Sequence, residues 1–128
     1  MQRKNYRSGA KWEDLVGYSR AVRVGNLVEV SGTVAVDGNS RLVGAENAYE
    51  QTKFILKKIE TVLQQADCGM KDVIRTRIFV TDISLWEEVA RAHSEYFDEI
   101  RPVTTLVEIS RLMNASYLVE IEATAYIP

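Results

Sequence analysis

Tyr18 and Arg20 lie two residues apart in a segment that alternates like a β-strand, so their side chains should leave the same face of that strand. A tyrosine can cover a ligand with its ring and bind it through the phenol. A guanidinium beside it could bind an anionic group through paired, charge-assisted hydrogen bonds. The alternatives are an aromatic ring packed on the strand and an arginine held by solvent or by an interface.

The other chemically capable side chains are hydroxyls, one histidine and one cysteine. Thr104 and Thr105 could offer hydroxyl groups to a polar ligand, although threonine is also a common strand residue with no further role. His93 is the only histidine, which excludes a metal site built on several histidines, and its apolar neighbours predict a packed side chain with one hydrogen bond. Cys68 is the only cysteine, so no internal disulfide can form, and an inert thiol is expected. The sequence has no phosphate-binding glycine loop and no zinc-ligand spacing, and we expect no bound metal.

The composition is that of an ordinary globular protein, with 46% hydrophobic and 27% charged residues and a net charge of -2. Proteins that bind nucleic acids usually have a basic excess, which this sequence lacks. The first residues contain no apolar block typical of a signal peptide, and no apolar stretch approaches the roughly 20 residues of a membrane helix. We therefore expect one cytoplasmic domain over residues 1–128, with no membrane partner and no nucleic-acid partner.

The periodicity of apolar residues predicts strands and helices after an N-terminal arm or loop at residues 1–16. Gly25-Asn26 joins two strand-like segments as a hairpin turn. The second helix should begin at Ser84, where Ser84 and Glu87 match a capping box, and Pro102 should stop it. The predicted strands are residues 18–24, 27–30, 73–80, 104–109 and 118–127, and the predicted helices are residues 45–66 and the segment between 84 and 102, in the order ββαβαββ.

The last strand predicts how the sheet is covered. Val119, Ile121 and Ala123 alternate with Glu120 and Glu122, so one face should be apolar and the other polar. Both predicted helices have an apolar stripe that could cover the apolar face. We therefore expect an α/β (α+β) fold with one mixed sheet and both helices on one face. The polar face would be covered by water or by other copies of the subunit.

Several short motifs resemble those of the YjgF/RidA family, and they occur in the right order from about residue 17 to the end of the chain. The motifs are Gly17-Tyr18, Gly25-Asn26-Leu27 and Val30-Ser31-Gly32 in the first hairpin, Val80-Thr81-Asp82-Ile83 after the third predicted strand, and Pro102, Val107-Glu108-Ile109, Arg111-Leu112 and Val119-Glu120-Ile121-Glu122-Ala123 near the C-terminus.

The resemblance implies a chorismate mutase-like fold, a homotrimer and ligand clefts between neighbouring subunits. It also implies hydrolysis of reactive imines and enamines to 2-keto acids and ammonia, with no metal or organic cofactor. Glu120 matches a glutamate that helps to place the attacking water, and Tyr18 matches a tyrosine that lines the cleft. Backbone N–H groups near Ser31 and Gly32 would bind the ligand. The alternative for Glu120 is a salt bridge at a subunit interface.

The sequence departs from the best-studied branch of the family at Thr104, where that branch has an arginine that binds the substrate carboxylate. A neutral hydroxyl cannot make the paired, charge-assisted bonds of a guanidinium. An asparagine often found in the second helix is likewise replaced, by Ala90. The chain is therefore identified as a member of an arginine-lacking branch, in which Arg20 or, as a second candidate, Arg101 could supply the missing cation.

These features leave three functions open. The first is a small-molecule enzyme that hydrolyses an imine, an enamine or a similar metabolite, with substrate choice altered by Thr104. The second is a non-catalytic trimer that binds a metabolite or a protein. The third is a ribonuclease or translation inhibitor, which the acidic balance and the lack of a basic surface with aromatic residues oppose.

Overall fold

A computed structural model describes residues 2–128, which form one continuous α+β fold. The elements are β1 (Arg3–Tyr6), α1 (Lys11–Val16), β2 (Ala21–Val24), β3 (Leu27–Thr33), α2 (Ala48–Gln65), β4 (Val73–Val80), α3 (Trp86–Phe97), β5 (Val103–Glu108) and β6 (Val119–Tyr126). The six strands form a single sheet in the order β1-β2-β3-β6-β4-β5. Neighbouring strands are antiparallel except β4 and β5, which run parallel, so the predicted mixed sheet is confirmed.

One face of the sheet is apolar and is covered by the two longer helices, as the alternation in β6 predicted. Val119 and Ile121 of β6 are fully buried on this face, whereas Glu120 lies on the opposite face. The apolar side of α2 packs on this face through Ile55 and Ile59, and at most 1% of each of these residues is exposed. Burying such a side chain contributes about 1.5–3 kcal/mol, so this layer is a main source of stability. The site on the other face therefore rests on a rigid support.

Helix α2 begins at Ala48 rather than at the predicted residue 45. Glu46 has a φ of 56°, a left-handed conformation that cannot continue a right-handed helix. The side chain of Asn47 caps the helix, since its oxygen accepts a hydrogen bond from the backbone N–H of Glu50 at 2.9 Å. Backbone geometry, and not the apolar spacing, therefore determines where this helix starts.

Helix α3 begins at Trp86, after a 3-10 turn over Ile83–Leu85, and the predicted capping box at Ser84 is wrong. The carboxylate of Asp82 accepts the backbone N–H of Ser84 at 2.9 Å and the hydroxyl of Ser84 at 2.6 Å. The Ser84 hydroxyl is thus a donor to Asp82 and is not available as a cap for the helix. Trp86, the first residue of the helix, is 52% exposed and lies outside the core.

The prediction of an arm or loop over residues 1–16 is also wrong, apart from residue 1, which lies outside the described residues. β1 pairs antiparallel with β2, from Arg3 opposite Val24 to Tyr6 opposite Ala21. β1 is an edge strand with an almost fully exposed, polar sequence. Backbone hydrogen bonds hold β1 in place. Because such bonds require no alternation of apolar and polar residues, the sequence pattern could not reveal this strand.

Helix α1 fixes the turn that leads into the candidate site. The buried carboxylate of Glu13 accepts hydrogen bonds from the backbone N–H of Ser8, at 3.1 Å, and from the Ser8 hydroxyl. Gly17 ends the helix with a φ of 89°, a conformation that favours glycine. The backbone N–H groups of Gly17 and Tyr18 both donate to the carbonyl of Glu13, at 2.8 and 3.0 Å. Tyr18 therefore enters the sheet from a well-defined position.

Candidate functional site

Tyr18, Arg20, Ser31 and Gly32 lie together where β2 meets an irregular part of β3. The pairing of β3 with β6 shifts register between Val30 and Thr33, so Ser31 and Gly32 lie in a bulge. One terminal nitrogen of Arg20 donates to the Ser31 hydroxyl and to the Gly32 carbonyl. The Arg20 guanidinium carbon lies 5.7 Å from the centre of the Tyr18 ring. The structure thus brings together four of the residues that the sequence singled out.

Glu120 joins this group from the neighbouring strand β6. A Cβ added at Gly32 would lie 2.9 Å from Cδ and 3.0 Å from Oε2 of Glu120, which real side chains essentially never allow. The sequence predicted that a glycine at position 32 would let a ligand approach the backbone. The close approach seen at Gly32 is that of the Glu120 carboxyl group itself.

The surroundings of Glu120 favour its protonated form. Burial raises the pKa of the Glu120 carboxyl above its ordinary value, the Arg20 guanidinium opposes this increase, and the negative charge of Glu122 adds to it. A carboxyl group whose pKa is raised is a stronger base when ionised and can also serve as an acid nearer neutral pH. Such a group can both take a proton from water and return it.

Arg20 is a half-buried cation that contacts no carboxylate within residues 2–128. Its Nε is buried and has no hydrogen-bond partner among them. Its hydrogen bonds go to neutral oxygens of Ser31 and Gly32. A guanidinium in this state retains donors for an anion, and ion-pair bonds of this kind are stronger than neutral ones.

Lys58 adds a second positive charge, and the sequence reasoning missed it. Its ammonium group donates to the carbonyls of Val34, at 3.0 Å, and Val36, at 2.8 Å, in the segment that follows the bulge. Burial and, to a smaller extent, repulsion by the nearby Arg20 lower the pKa of Lys58 to about 8, against the opposing effect of Asp37. Helical spacing could have revealed Lys58, because it lies on the apolar side of α2, three residues after Ile55.

An open cleft of about 420 Å³ adjoins this group on the polar face of the sheet. Tyr18 and Ser31 line one part of it, and Arg77 and Glu122 line another. Arg77 and Glu122 form an ion pair at 3.3 Å, so this face carries both acidic and basic side chains. The cleft is large enough for a small metabolite and opens to solvent.

Thr104 and Thr105 lie elsewhere, on β5 at the far edge of the sheet. Strands β6 and β4 separate them from the bulge in β3. Thr104 faces the helices, where its hydroxyl lies 2.8 Å from that of Thr76, whereas Thr105 lies on the polar face, 3.4 Å from a guanidinium nitrogen of Arg75. The predicted site residues therefore form two groups that lie on different strands within one chain.

Arg101 does not face Thr104. Its guanidinium donates to the backbone carbonyl of Asp98 at 2.7 Å and to the Asp98 carboxylate at 3.2 Å, and both side chains are largely exposed. Of the two candidates for a replacement cation, Arg20 is the one that lies beside Glu120.

Cys68 and His93 are both packed side chains. Burial raises the pKa of the Cys68 thiol, which keeps it protonated and unreactive. His93 makes one hydrogen bond, to the Thr76 hydroxyl at 2.9 Å, and its ring packs against Phe97. Within residues 2–128, no three His, Cys, Asp or Glu side chains converge to hold a metal ion. Nor does any helix in this range have both the length and the apolar character that crossing a bilayer requires.

The buried state of His93 predicts that acid destabilises the protein. Burial lowers the pKa of His93 from 6.5 to about 4, so below pH 6.5 the unfolded chain takes up a proton that the folded chain refuses. The stabilisation is complete above pH 6.5 and is lost as the pH falls towards 4. Because His93 is only partly buried and solvent screens the effect, we expect a loss of about 2 kcal/mol, less than the full shift would give. Urea unfolding of wild type and His93→Gln at pH 7.0, 5.5 and 4.5 tests this. The free energy of unfolding of His93→Gln should fall less with decreasing pH than that of wild type. If the two proteins lose stability in parallel, burial of a neutral His93 does not cause the acid sensitivity.

The contact between Gly32 and Glu120 predicts a selective effect of Gly32→Ala. The added methyl group meets only the mobile end of Glu120, so the carboxyl group should move while the fold remains. We expect the free energy of unfolding to change by less than about 1 kcal/mol. Any reaction that uses Glu120 should slow by about tenfold or more, since small misplacements of a catalytic group are costly. A loss of thermal stability without loss of activity would argue against this role of Gly32.

Comparisons with known proteins show which family and fold this chain resembles. The family described as endoribonuclease L-PSP matches residues 10–127. An uncharacterised protein of Streptomyces coelicolor is 37% identical over 123 residues, covering 96% of this chain and 91% of the relative. The protein named 3-aminoacrylate deaminase RutC from Acinetobacter baylyi is 32% identical over 113 residues, covering 88% and 89%. A crystal structure from Mycobacterium tuberculosis, of a member of the YjgF/YER057c/UK114 family, superposes with a TM-score of 0.90 and 46% identity, covering 98% and 100%.

Proposed function

Since the chain belongs to the YjgF/RidA family, we propose that it hydrolyses a small imine, enamine or similar metabolite in a cleft that a neighbouring copy of the chain completes. The observation that most supports this is Glu120, a half-buried carboxyl group with a raised pKa beside the Arg20 guanidinium, which forms no direct ion pair within residues 2–128. A general base is most effective when its pKa lies near the working pH. The Acinetobacter relative, named as a deaminase of 3-aminoacrylate, supports the same class of substrate.

In the proposed reaction, Glu120 removes a proton from water while the water oxygen bonds to the carbon of the C=N group. The π electrons move to nitrogen, which takes the proton back from Glu120, and a carbinolamine forms. Glu120 then removes the hydroxyl proton and passes it to the amino nitrogen as the C–N bond breaks. The products are a keto compound and ammonia, and water is the only other reactant, so no metal or organic cofactor is needed. An enamine would first become an imine by taking up a proton on carbon.

Arg20 would bind an anionic group of the substrate in place of the arginine that Thr104 replaces. Two cations, Arg20 and Lys58, lie near one another, and the electrostatic repulsion between them contributes to the lowered pKa of Lys58. A carboxylate bound between Tyr18 and Arg20 would relieve this repulsion and complete the hydrogen bonds of the guanidinium. The backbone around Ser31 and Gly32 would border the same ligand.

A second copy of the chain would supply the other half of the cleft. Thr104 and Thr105 lie on β5 at one edge of the sheet. Glu120 lies on β6, with β4 in between, and Arg20 lies farther away beside β3, so one chain does not bring the two groups together. We propose a homotrimer in which the Glu120 group of one copy faces the Thr104 group of the next, with residues 1–128 acting as one domain in the cytoplasm. Closed symmetry would repeat this contact identically around the ring.

A nuclease function has less support, although the matching family is described as an endoribonuclease. The chain has a net charge of -2, and the cations near Glu120 are accompanied by Asp37 and Glu122. Binding to RNA depends mainly on neutralising its phosphates, which calls for a basic surface. A small ligand with one anionic group suits this balance of charges better.

A deaminase assay tests the proposed function. An amino-acid oxidase generates 2-iminobutyrate in place, and keto-acid formation is followed for wild type, Thr104→Arg and a reaction without the protein. We expect wild type to accelerate hydrolysis and Thr104→Arg to lower the KM for this anionic imine. If only Thr104→Arg is active, the natural substrate belongs to another class of imine. If neither accelerates the reaction of any imine in a panel, the non-catalytic binding function replaces this proposal.

A further inference from the structure

Three uncharged polar side chains form a row of hydrogen bonds from the protein interior to the surface at β5. The imidazole Nε2 of His93 on α3 lies 2.9 Å from the Thr76 hydroxyl on β4, and that hydroxyl lies 2.8 Å from the Thr104 hydroxyl on β5. Thr76 is fully buried, His93 is half-buried and Thr104 is exposed. The row therefore ends in one hydroxyl that solvent or a ligand can reach.

The row can run in only two directions, because each threonine hydroxyl has one proton. If Nε2 of His93 accepts from Thr76, then Thr76 accepts from Thr104, and the free lone pairs of Thr104 can accept a hydrogen bond from a ligand. If Nε2 donates, each hydroxyl donates to the next group, and the Thr104 hydroxyl can donate to a ligand in place of its long contact with the Pro102 carbonyl at 3.5 Å. The tautomer of His93 thus determines whether Thr104 presents a donor or an acceptor.

Among residues 2–128, no charged side chain forms a hydrogen bond with this row. Burial favours the neutral imidazole, and the ring packs against Phe97 at 4.6 Å between centroids. Arg101 is held by Asp98, and Arg75 lies on the opposite face of the sheet beside Thr105. An ionic ligand group at Thr104 would therefore lose hydration without gaining a counter-charge.

We propose that His93, Thr76 and Thr104 form a subsite for an uncharged polar group of the substrate, such as an amide, a hydroxyl or a carbonyl. Thr104 contacts the ligand, and His93 and Thr76 are positioning residues that set the direction of its hydroxyl. The subsite rests on the proposed function, because it assumes that Thr104 lines the substrate cleft. The substrate would then have its anionic group at Arg20 and a neutral polar group at Thr104.

Binding of two small probes tests the subsite without any turnover. Propionamide and propionate have similar size and differ in charge. In ¹⁵N NMR titrations of wild type, we expect propionamide to shift the Thr104 amide signal at tens of millimolar, which suits so small a ligand. The imidazole ¹⁵N signals of His93 should move with it, because the tautomer follows the ligand. Propionate should bind at Thr104 at least about tenfold more weakly, since the hydroxyls of this row carry no charge to compensate a carboxylate, and any shifts it causes should centre on Arg20 instead.

Matched variants separate positioning from stability. Thr76→Val removes the middle hydroxyl and keeps the shape, so the His93 signals should no longer respond to propionamide, and affinity should fall about three- to tenfold. Thr76→Ser keeps the hydroxyl and should restore both properties. Equal binding of the two probes at Thr104, or His93 signals that never respond in wild type, would overturn the proposal. Selective binding without imine turnover would leave the subsite standing and contradict the proposed function instead.

Discussion

Replacing Glu120 with glutamine should lower kcat for imine hydrolysis by about 100-fold or more, because a well-placed general base contributes about 10²- to 10⁴-fold. Glutamine keeps the size of the side chain and its place beside Gly32 but cannot take a proton from water. The fold should be retained, since burial already disfavours the ionised carboxyl group and its removal relieves that cost. Steady-state kinetics and urea unfolding of both proteins provide the measurement.

Two controls make the Glu120→Gln result specific. Glu99→Gln removes the same charge from an exposed position near the end of α3 and should leave kcat unchanged. In wild type, the rate should fall as the pH drops through the raised pKa of Glu120, because the base becomes protonated. If Glu120→Gln retains wild-type kcat, Glu120 is an interface residue and the proposed mechanism fails.

Replacing Arg20 with methionine should raise the KM for 2-iminobutyrate and lower kcat/KM by about 10- to 100-fold, the value expected for lost hydrogen bonds to a charged group. Butyrate, which has the carboxylate but no C=N group, should inhibit wild type competitively. Its inhibition constant should rise together with KM in Arg20→Met. Arg20→Lys keeps the positive charge but cannot make the paired hydrogen bonds. Its kcat/KM should therefore lie between those of wild type and Arg20→Met.

The Arg20 experiment also distinguishes binding from support of the bulge, since Arg20 holds Ser31 and Gly32. If Arg20 only supports the backbone, kcat should fall while KM and butyrate inhibition stay the same. Arg91→Met is a suitable control, because Arg91 is exposed on α3 and stacks on Tyr49, on the opposite side of the sheet from the cleft. It should not change any of these constants.

Burial of apolar side chains leaves a strong signal in a sequence, and the parts of the fold that depend on it could be predicted. The alternation in β6 and the stripe on α2 predicted a mixed sheet with both longer helices on one face, and Val119, Ile121, Ile55 and Ile59 are buried accordingly. Features that depend on backbone bonds could not be predicted in this way. The edge strand β1 is paired through its backbone, and the start of α3 depends on how Asp82 bonds Ser84.

The candidate site was predictable only in part, because some of its contacts join residues from different strands. The predicted strand over residues 18–24 begins only at Ala21, so strand alternation does not account for the positions of Tyr18 and Arg20, although the two side chains do lie close together. The family resemblance pointed to Glu120. Neither the alternation nor the resemblance could show that Gly32 makes room for Glu120, because that contact joins two strands through a bulge. Lys58 was not predicted, because a lysine within an apolar stripe usually extends its ammonium group into solvent while its methylene groups pack on the stripe. Here the ammonium group instead donates hydrogen bonds to two backbone carbonyls.

The proposal that each cleft is shared by two copies is central to this account, and a subunit-mixing experiment tests it most directly. Glu120→Gln inactivates the half of the cleft that contains Glu120, and Thr104→Trp should block the half that contains Thr104. Each variant alone should therefore be inactive. Both should assemble like wild type. In mixed assemblies, some clefts combine the intact Glu120 of one copy with the intact Thr104 of its neighbour.

Random mixing of equal amounts should restore roughly one quarter of the wild-type imine hydrolysis, as expected for closed rings in which each cleft joins two adjacent copies. Size-exclusion chromatography of the mixture, with the two variants carrying different tags, confirms that mixed assemblies form. If the mixed assemblies are no more active than the two parents, Glu120 and Thr104 do not meet across copies, and the account of the site is contradicted.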